Sequence, residues 1–201
     1  MTPRPFHHGN LRAVLIEEAE QMLREGGVDR ISLREIARRA EVSHGAPRSH
    51  FVDRQALLDA LVERGFERLT HEVGSSTSKD APFEEKFRQV GHAYVGFAAR
   101  DAALMELMFA AKVDDPSGPA QQAAGRLFAT FDELLDSDPL QGHEDEDVRW
   151  RFKLLFAATM QGAATLLASR RVTQHQADAI VDDAIEALLH SAIGPRARTG
   201  P

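Results

Sequence analysis

Ser32-Leu33-Arg34-Glu35-Ile36-Ala37-Arg38-Arg39-Ala40-Glu41-Val42-Ser43-His44-Gly45-Ala46-Pro47-Arg48-Ser49-His50-Phe51 decides how this chain is read. It opens with a serine three residues before a glutamate, the spacing of a capping box, in which the Ser32 hydroxyl accepts from the Glu35 N–H and the Glu35 side chain reaches back. Leu33, Ile36, Ala37 and Ala40 then recur at three and four positions, the period of one buried helical face. Glu41-Val42-Ser43 form a tight turn, and Ser43 is expected to cap a further short helix running to Phe51. Pro47 falls in its first turn, where a missing N–H costs least. Two short helices joined in this way are a helix-turn-helix pattern, whose later helix enters the major groove of DNA.

Charge is distributed to match. The chain has 201 residues and a net charge of −7. Through residue 70 eleven arginines balance eleven carboxylates, so the acidity falls on residues 71–201. Inside the first part, Arg30, Arg34, Arg38, Arg39, Arg48 and Arg54 face only Glu35, Glu41 and Asp53, and this basic island is suited to a polyanion. The expected groove-facing turn, Ser43-His44-Gly45-Ala46, is small and polar. Gly45 permits close backbone approach, His44 can bond to a base edge or phosphate, and the Ala46 methyl can sit against thymine. Arg48, Ser49 and His50 follow where cations and hydroxyls meet phosphate. With Ser32, Arg34 and Arg54 these are the candidate DNA-binding residues. One or both of Arg38 and Arg39, late in their helix, are expected in surface ion pairs of little energetic worth.

The remaining periodicity is also helical. Leu11, Val14, Leu15, Ala19, Met22 and Leu23 mark a first helix that Gly26-Gly27 stops, and Asp53 is expected to cap a long helix carrying Leu57, Leu61 and Leu69. Gly74-Ser75-Ser76-Thr77-Ser78 and Pro82 form the clearest change in composition. The expected domains are therefore residues 1–72, with the long helix as connector, and residues 73–201. In the second, apolar repeats predict helices around Phe83–Phe97, Leu104–Ala111 and Leu127–Leu135. Two more follow an acidic loop at 136–147: Val148 to Ser169, and one opened by the capping box Thr173-Gln174-His175-Gln176. The expected fold is all-α, an N-terminal three-helix DNA-binding domain followed by a helical ligand-binding and dimerisation domain.

The pieces His7-His8-Gly9-Asn10-Leu11-Arg12, Ser32 to Ala37, and Val42-Ser43-His44 through Ala46-Pro47 to His50-Phe51 fall in an order that resembles the tetracycline-repressor (TetR) family of bacterial transcription regulators, over His7 to Leu61. They look like a subgroup whose regulatory domain carries a Trp and a His-Gly pair. The family residue aligned with Arg48 is usually a tyrosine on phosphate, and those aligned with His50 and Arg54 are a backbone-contacting His and Lys. Arg48 either keeps that role or reaches guanine. Glu41 replaces the usual turn glycine, which implies a turn slightly strained or differently shaped and an acid near DNA. Met160-Gln161-Gly162 stands where the His-Gly pair falls, and Ala157 replaces the Trp. The resemblance implies a homodimer through the last two helices and a ligand cavity drawn from Met105, Met108, Phe109, Phe128, Phe131 and Met160, with polar neighbours His92, Tyr94, Thr159 and Gln161. The implied partners are a double-stranded operator, a second copy of the chain and a small apolar effector.

Other chemistry is narrowed by what the sequence lacks. Without cysteine there is no disulfide, thiolate metal site or thiol nucleophile. No nucleophile motif or phosphate loop is present, so neither an enzyme nor a cofactor is expected. His175, Asp178, Asp182, Glu186 and His190 share a helix face but read as the wet side of an amphipathic helix, with no metal. His143 to Asp147 reads as a solvated loop. No apolar run approaches the roughly 20 residues that span a bilayer, and Met1 to Leu11 lacks the apolar stretch of a signal peptide, so the expected location is the cytoplasm. The sequence thus predicts a homodimeric repressor released from a palindromic operator by a small molecule. The alternative, motivated by Glu41 and Arg48, is a helical ligand-binding or protein-interaction module that has lost DNA binding.

Overall fold

A computed structural model describes residues 11–110, 118–136 and 146–195. Among them are eight α-helices, two 3₁₀ turns and no strand. The helices are α1 (Leu11–Gly26), α2 (Leu33–Arg39), α3 (Arg54–Ser76), α4 (Phe83–Arg100), α5 (Ala102–Ala110), α6 (Pro119–Asp136), α7 (Glu146–Ala168) and α8 (Gln174–Leu189). The 3₁₀ turns are Val28–Arg30 and Ala46–Ser49. The motif residues His7 to Asn10 and most of the acidic loop, including His143 to Asp145, lie outside the described residues.

The chain divides into two compact units, one formed by residues up to Gly65 together with Ala103–Gln121, the other by Phe66–Ala102 and the residues from Gln122. Helix α3 is continuous through the division at Gly65. In the first unit, α1 ends where the Gly27 N–H reaches the Leu23 carbonyl at 2.9 Å and Gly27 turns to φ 74°, a left-handed conformation that glycine adopts without a Cβ clash. Leu15, Ala19, Leu23, Ile31, Ile36, Ala37, Phe51, Leu57 and Leu61 are buried there. The buried carboxylate of Glu20 on α1 is met by Arg64 Nε of α3 at 2.9 Å, which offsets the cost of removing a charge from water.

In the second unit α4, α7 and α8 pack against one another. Phe87 meets Phe152 and Phe156 edge-on at centroid distances of 5.7 and 5.3 Å, and Phe131 of α6 meets Phe156 at 5.2 Å. Such edge contacts set the ring hydrogens of one residue against the electron-rich face of the next. A Cβ on Gly91 would lie 2.7 Å from Val181 and 3.0 Å from Met160, so the absent side chain lets α4 approach α7 and α8. Arg149 and Lys153 of α7, both nearly buried, meet Asp132 and Asp136 of α6.

Two local expectations change. Ser32 caps α2 as predicted, accepting from the Glu35 N–H at 3.2 Å, but the Glu35 carboxylate is taken by Arg38 at 2.6 Å and Arg39 at 3.6 Å instead of closing the box. The arginines one turn along the same helix offer charge-assisted bonds that outcompete a neutral backbone N–H. At Thr173 both halves of the box are present. The second change is the expected helix from Ser43 to Phe51. Its helical part is a single 3₁₀ turn with Gly45, not Ser43, at its start and no side-chain cap. Pro47 has no N–H to give, and three of the bonds that form span only three residues, Ala46 N–H to Ser43 O at 2.9 Å, Arg48 N–H to Gly45 O at 3.1 Å and His50 N–H to Pro47 O at 3.0 Å, before the Phe51 N–H reaches the Pro47 carbonyl at 2.9 Å. Such i to i+3 bonds define the tighter helix used for short pieces.

Candidate nucleic-acid interface

The short turn is held from both sides. Phe51 is buried beneath it, with the Arg12 guanidinium 5.5 Å from its ring centroid. Asp53 caps α3 by accepting from the Ala56 N–H at 2.9 Å. On the entry side Glu41 sits at φ 54°, a left-handed conformation that costs an L-residue with a side chain roughly 1–2 kcal/mol. The turn geometry that glycine normally serves is therefore kept, at some strain. Its effect is to leave Ser43, His44, Gly45, Arg48, Ser49 and His50 exposed while Pro47 is buried and Ala46 half-buried.

Leu33, Arg34, His44, Gly45 and Arg48 surround one open depression of about 470 Å³. The first turn of α2 and the 3₁₀ turn thus bring two guanidiniums, an imidazole and a bare backbone position to one surface. Neither Arg34 nor Arg48 has an ion-pair partner among the described residues. Of the other arginines of the island, Arg30 is exposed and does not line the depression, whereas Arg38, Arg39 and Arg54 are engaged. Arg38 holds Glu35 and Arg39 holds Glu25 of α1 at 2.5 Å, so both make the surface pairs expected of one or both. Hydrogen bonds from these arginines keep the Glu25 and Glu35 carboxyls below the usual carboxylate range. Arg54 donates from Nε to the Ile31 carbonyl at 2.9 Å and from its terminal nitrogen to the Val28 carbonyl at 2.7 Å. Its side chain ties the start of α3 to the segment leading into α2. The Ser49 hydroxyl donates to the Ala46 carbonyl at 2.7 Å, and Ser32 is occupied as the cap. Leu33, the apolar member of the depression, carried no sequence signal beyond its place on the buried face of α2.

The ten residues suggested for a ligand cavity are divided between the two units. Met105, Met108 and Phe109 lie on α5 in the first unit, where the two methionines are buried and Phe109 is 46% exposed. In the second unit, Tyr94 donates its hydroxyl to Gln161 Oε1 at 2.6 Å, and burial raises its proton affinity well above that of an ordinary phenol. Met160 is fully buried, Thr159 bonds back to the Leu155 carbonyl at 2.7 Å, and Phe128 packs on Phe131 and Trp150. His92 lies between Asp182 at 2.9 Å and Asp178 at 3.4 Å. A cavity of about 280 Å³ does open in this unit, but it is lined by Val73, Gly74, Thr77, Ser78, Lys79, Lys86, Val90, Thr130, Glu133 and Leu134. The sequence signal available for it was two of the chain's four lysines, seven residues apart in an acidic region. No helix among the described residues is long and apolar enough to cross a membrane.

Two short elements meeting at a tight turn, with uncommitted cations and a glycine facing outward, define a helix-turn-helix regulator that binds DNA. The comparisons agree. Residues 15–61 match the model of the bacterial regulatory proteins of the tetR family, and residues 87–192 match the tetracyclin repressor-like C-terminal domain. The chain belongs to the TetR family, whose members regulate transcription by binding DNA and are not enzymes. A protein of unknown function from Rhodococcus sp. RHA1 is 35% identical, with 92% of this chain and 97% of that one covered at a TM-score of 0.78. The fatty acid degradation regulator FadR from Bacillus halodurans, 18% identical, shares the fold at a TM-score of 0.71 over 92% of this chain and 97% of that one. FadR from Bacillus subtilis, solved in complex with stearoyl-CoA, is 15% identical with a TM-score of 0.66 over 89% and 98%. None of the curated proteins matches the chain.

Proposed function

We propose that this regulator is a cytoplasmic homodimeric repressor that leaves a near-palindromic operator when a small molecule binds its second domain. The observation that carries the reading is the exposed group Arg34, His44, Gly45 and Arg48 around one depression. In this reading His44, Gly45 and Ala46 face base edges. Ser43, Ser49, His50 and Arg34 contact the backbone, Arg48 binds phosphate or guanine, and Ser32 and Arg54 hold the turn in place. Residues 1–72 serve DNA and residues 73–201 serve ligand and dimer.

Dimerisation is assigned to α7 and α8. Trp150, Leu154 and Leu155 of α7 are 49, 41 and 46% exposed, a cluster of large apolar side chains on one helix that favours a partner surface. Further along it Ala158 and Gly162 are exposed, and a Cβ on Gly162 would meet nothing within 4 Å. Small residues there admit a second helix at close range. A two-fold axis then sets two recognition turns about 34 Å apart, in successive major grooves. A ligand acts by preferring the conformer in which that spacing is wrong, and DNA weakens the ligand by the same factor.

The test is a gel shift on the DNA upstream of the protein's own gene, at moderate salt with competitor, alongside sedimentation of wild type and Leu154→Glu/Leu155→Glu. The expected result is retardation by a dimer and loss of both dimer and retardation in the variant. An intact dimer that retards no promoter fragment would favour the second reading, a helical ligand-binding or interaction module, which the strained acidic turn at Glu41 supports.

A further inference from the structure

The cavity in the second unit combines an apolar floor with a charged rim. Val73 at the end of α3, Val90 of α4 and Leu134 of α6 are 1, 3 and 6% exposed. Around them stand Lys79 of the segment between α3 and α4, Lys86 of α4 and Glu133 of α6. No ion pair or side-chain hydrogen bond joins either lysine to another described residue. One carboxylate against two ammonium groups leaves a single net positive charge, in the part of the chain that is otherwise acidic. The threonines offer the anion little: the Thr130 hydroxyl is given to the Leu127 carbonyl at 2.6 Å and that of Thr77 to the Gly74 carbonyl at 3.5 Å. An anion would rely on the lysines.

Size and shape add to this. The volume of about 280 Å³ falls just below the roughly 300–1,000 Å³ of clefts that hold drug-sized ligands. Gly74 forms part of the wall, and a Cβ there would meet nothing within 4 Å, so the space beside α3 is open. From this we propose that the cavity is the effector site and takes a small amphipathic monoanion, a carboxylate on a short aliphatic chain. The carboxylate sits between Lys79 and Lys86, and the chain lies on Val73, Val90 and Leu134. The proposal rests on the reading of the protein as a ligand-released regulator and gives that ligand a place and a chemistry. Its polar anchor differs from the apolar effector that the family resemblance implied.

The experiment is calorimetry on the full chain with hexanoate, and with 1-hexanol and hexylamine as neutral and cationic controls of equal length. Saturable binding of hexanoate, with hexanol clearly weaker and hexylamine undetectable, is the expected result. Lys79→Gln/Lys86→Gln should weaken hexanoate by about tenfold or more, the scale of a charge-assisted contact. Gly74→Phe should abolish binding by filling the space, and Gly74→Leu serves if the larger ring disturbs folding, with circular dichroism melts verifying each variant. Absence of hexanoate binding, equal affinity for hexanol, or affinity unchanged in the folded variants overturns the assignment. A parallel gel shift separates the two readings. Retardation without hexanoate binding sinks the cavity assignment alone, whereas variant-sensitive hexanoate binding without retardation upholds the anion site and sinks the regulator reading.

Discussion

The division of the arginines into engaged and uncommitted makes a quantitative prediction about salt. Each phosphate neutralised by a cation releases condensed counterions, so that log K falls against log salt with a slope of about −0.9 per phosphate. A cation already compensated inside the protein contributes little to that slope. Of the arginines in the basic island, Arg38 and Arg39 are paired with Glu35 and Glu25, whereas Arg34 and Arg48 face the open depression. In a dimer the latter pair supplies four cations. Arg34→Ala/Arg48→Ala should therefore flatten the slope by about 3.6, and Arg48→Ala alone by about 1.8. Between 50 and 200 mM salt the double variant should lose about a hundredfold less affinity than wild type. Arg38→Ala should leave the slope unchanged. The assay is operator binding by fluorescence anisotropy at five or more salt concentrations. If Arg38→Ala flattens the slope as much as Arg48→Ala, or if the double variant keeps the wild-type slope, the division of the arginines is mistaken. If Arg48→Ala keeps the slope but relaxes preference at a guanine, that side chain reads a base.

Three further outcomes follow from the packing. Glu41→Gly removes the side chain from a left-handed residue and should raise stability by roughly 0.5–1 kcal/mol, part of the strain relieved being offset by the freer unfolded chain; a lower urea midpoint would contradict the strain. Gly91→Ala places a methyl 2.7 Å from Val181. Overpacking of about 1–3 kcal/mol exceeds the roughly 1 kcal/mol that alanine returns in a helix, so the urea midpoint should fall. The third concerns pH. The Glu25 carboxyl is held below its ordinary range, mainly by the hydrogen bond from Arg39, so its contribution to stability is present above the unfolded carboxyl's range and is lost as pH falls through the folded value. The melting deficit of Arg39→Gln at pH 7 should therefore close in acid, and a deficit that persists at pH 3 would show that the guanidinium acts through packing.

Helix positions were legible because their signals are local. Ser32, Asp53 and Thr173 announce three helix starts within four residues of sequence, and Gly27 marks a stop by its own conformational freedom. The Ser43 stub was misjudged because four residues around a proline satisfy a helix pattern and a 3₁₀ turn equally well, and only the bonds formed distinguish them. Partners distant in sequence were hidden for a different reason. Arg39 meets a glutamate fourteen residues back, and Arg54 meets carbonyls 23 and 26 residues back, so their engagement depends on how α1, α2 and α3 pack. The cavity was hidden further still. Methionines and phenylalanines that could line a pocket are equally good core, and Met160 is fully buried, while the residues around the cavity proposed above include a connecting segment that carries no periodic signal.

The pairing of Arg38 and Arg39 also governs what the protein ignores. A bacterial chromosome presents on the order of 10⁶ or more wrong sites for each right one, all offering the same phosphates. Guanidiniums kept occupied by Glu35 and Glu25 shorten every stay on irrelevant sequence.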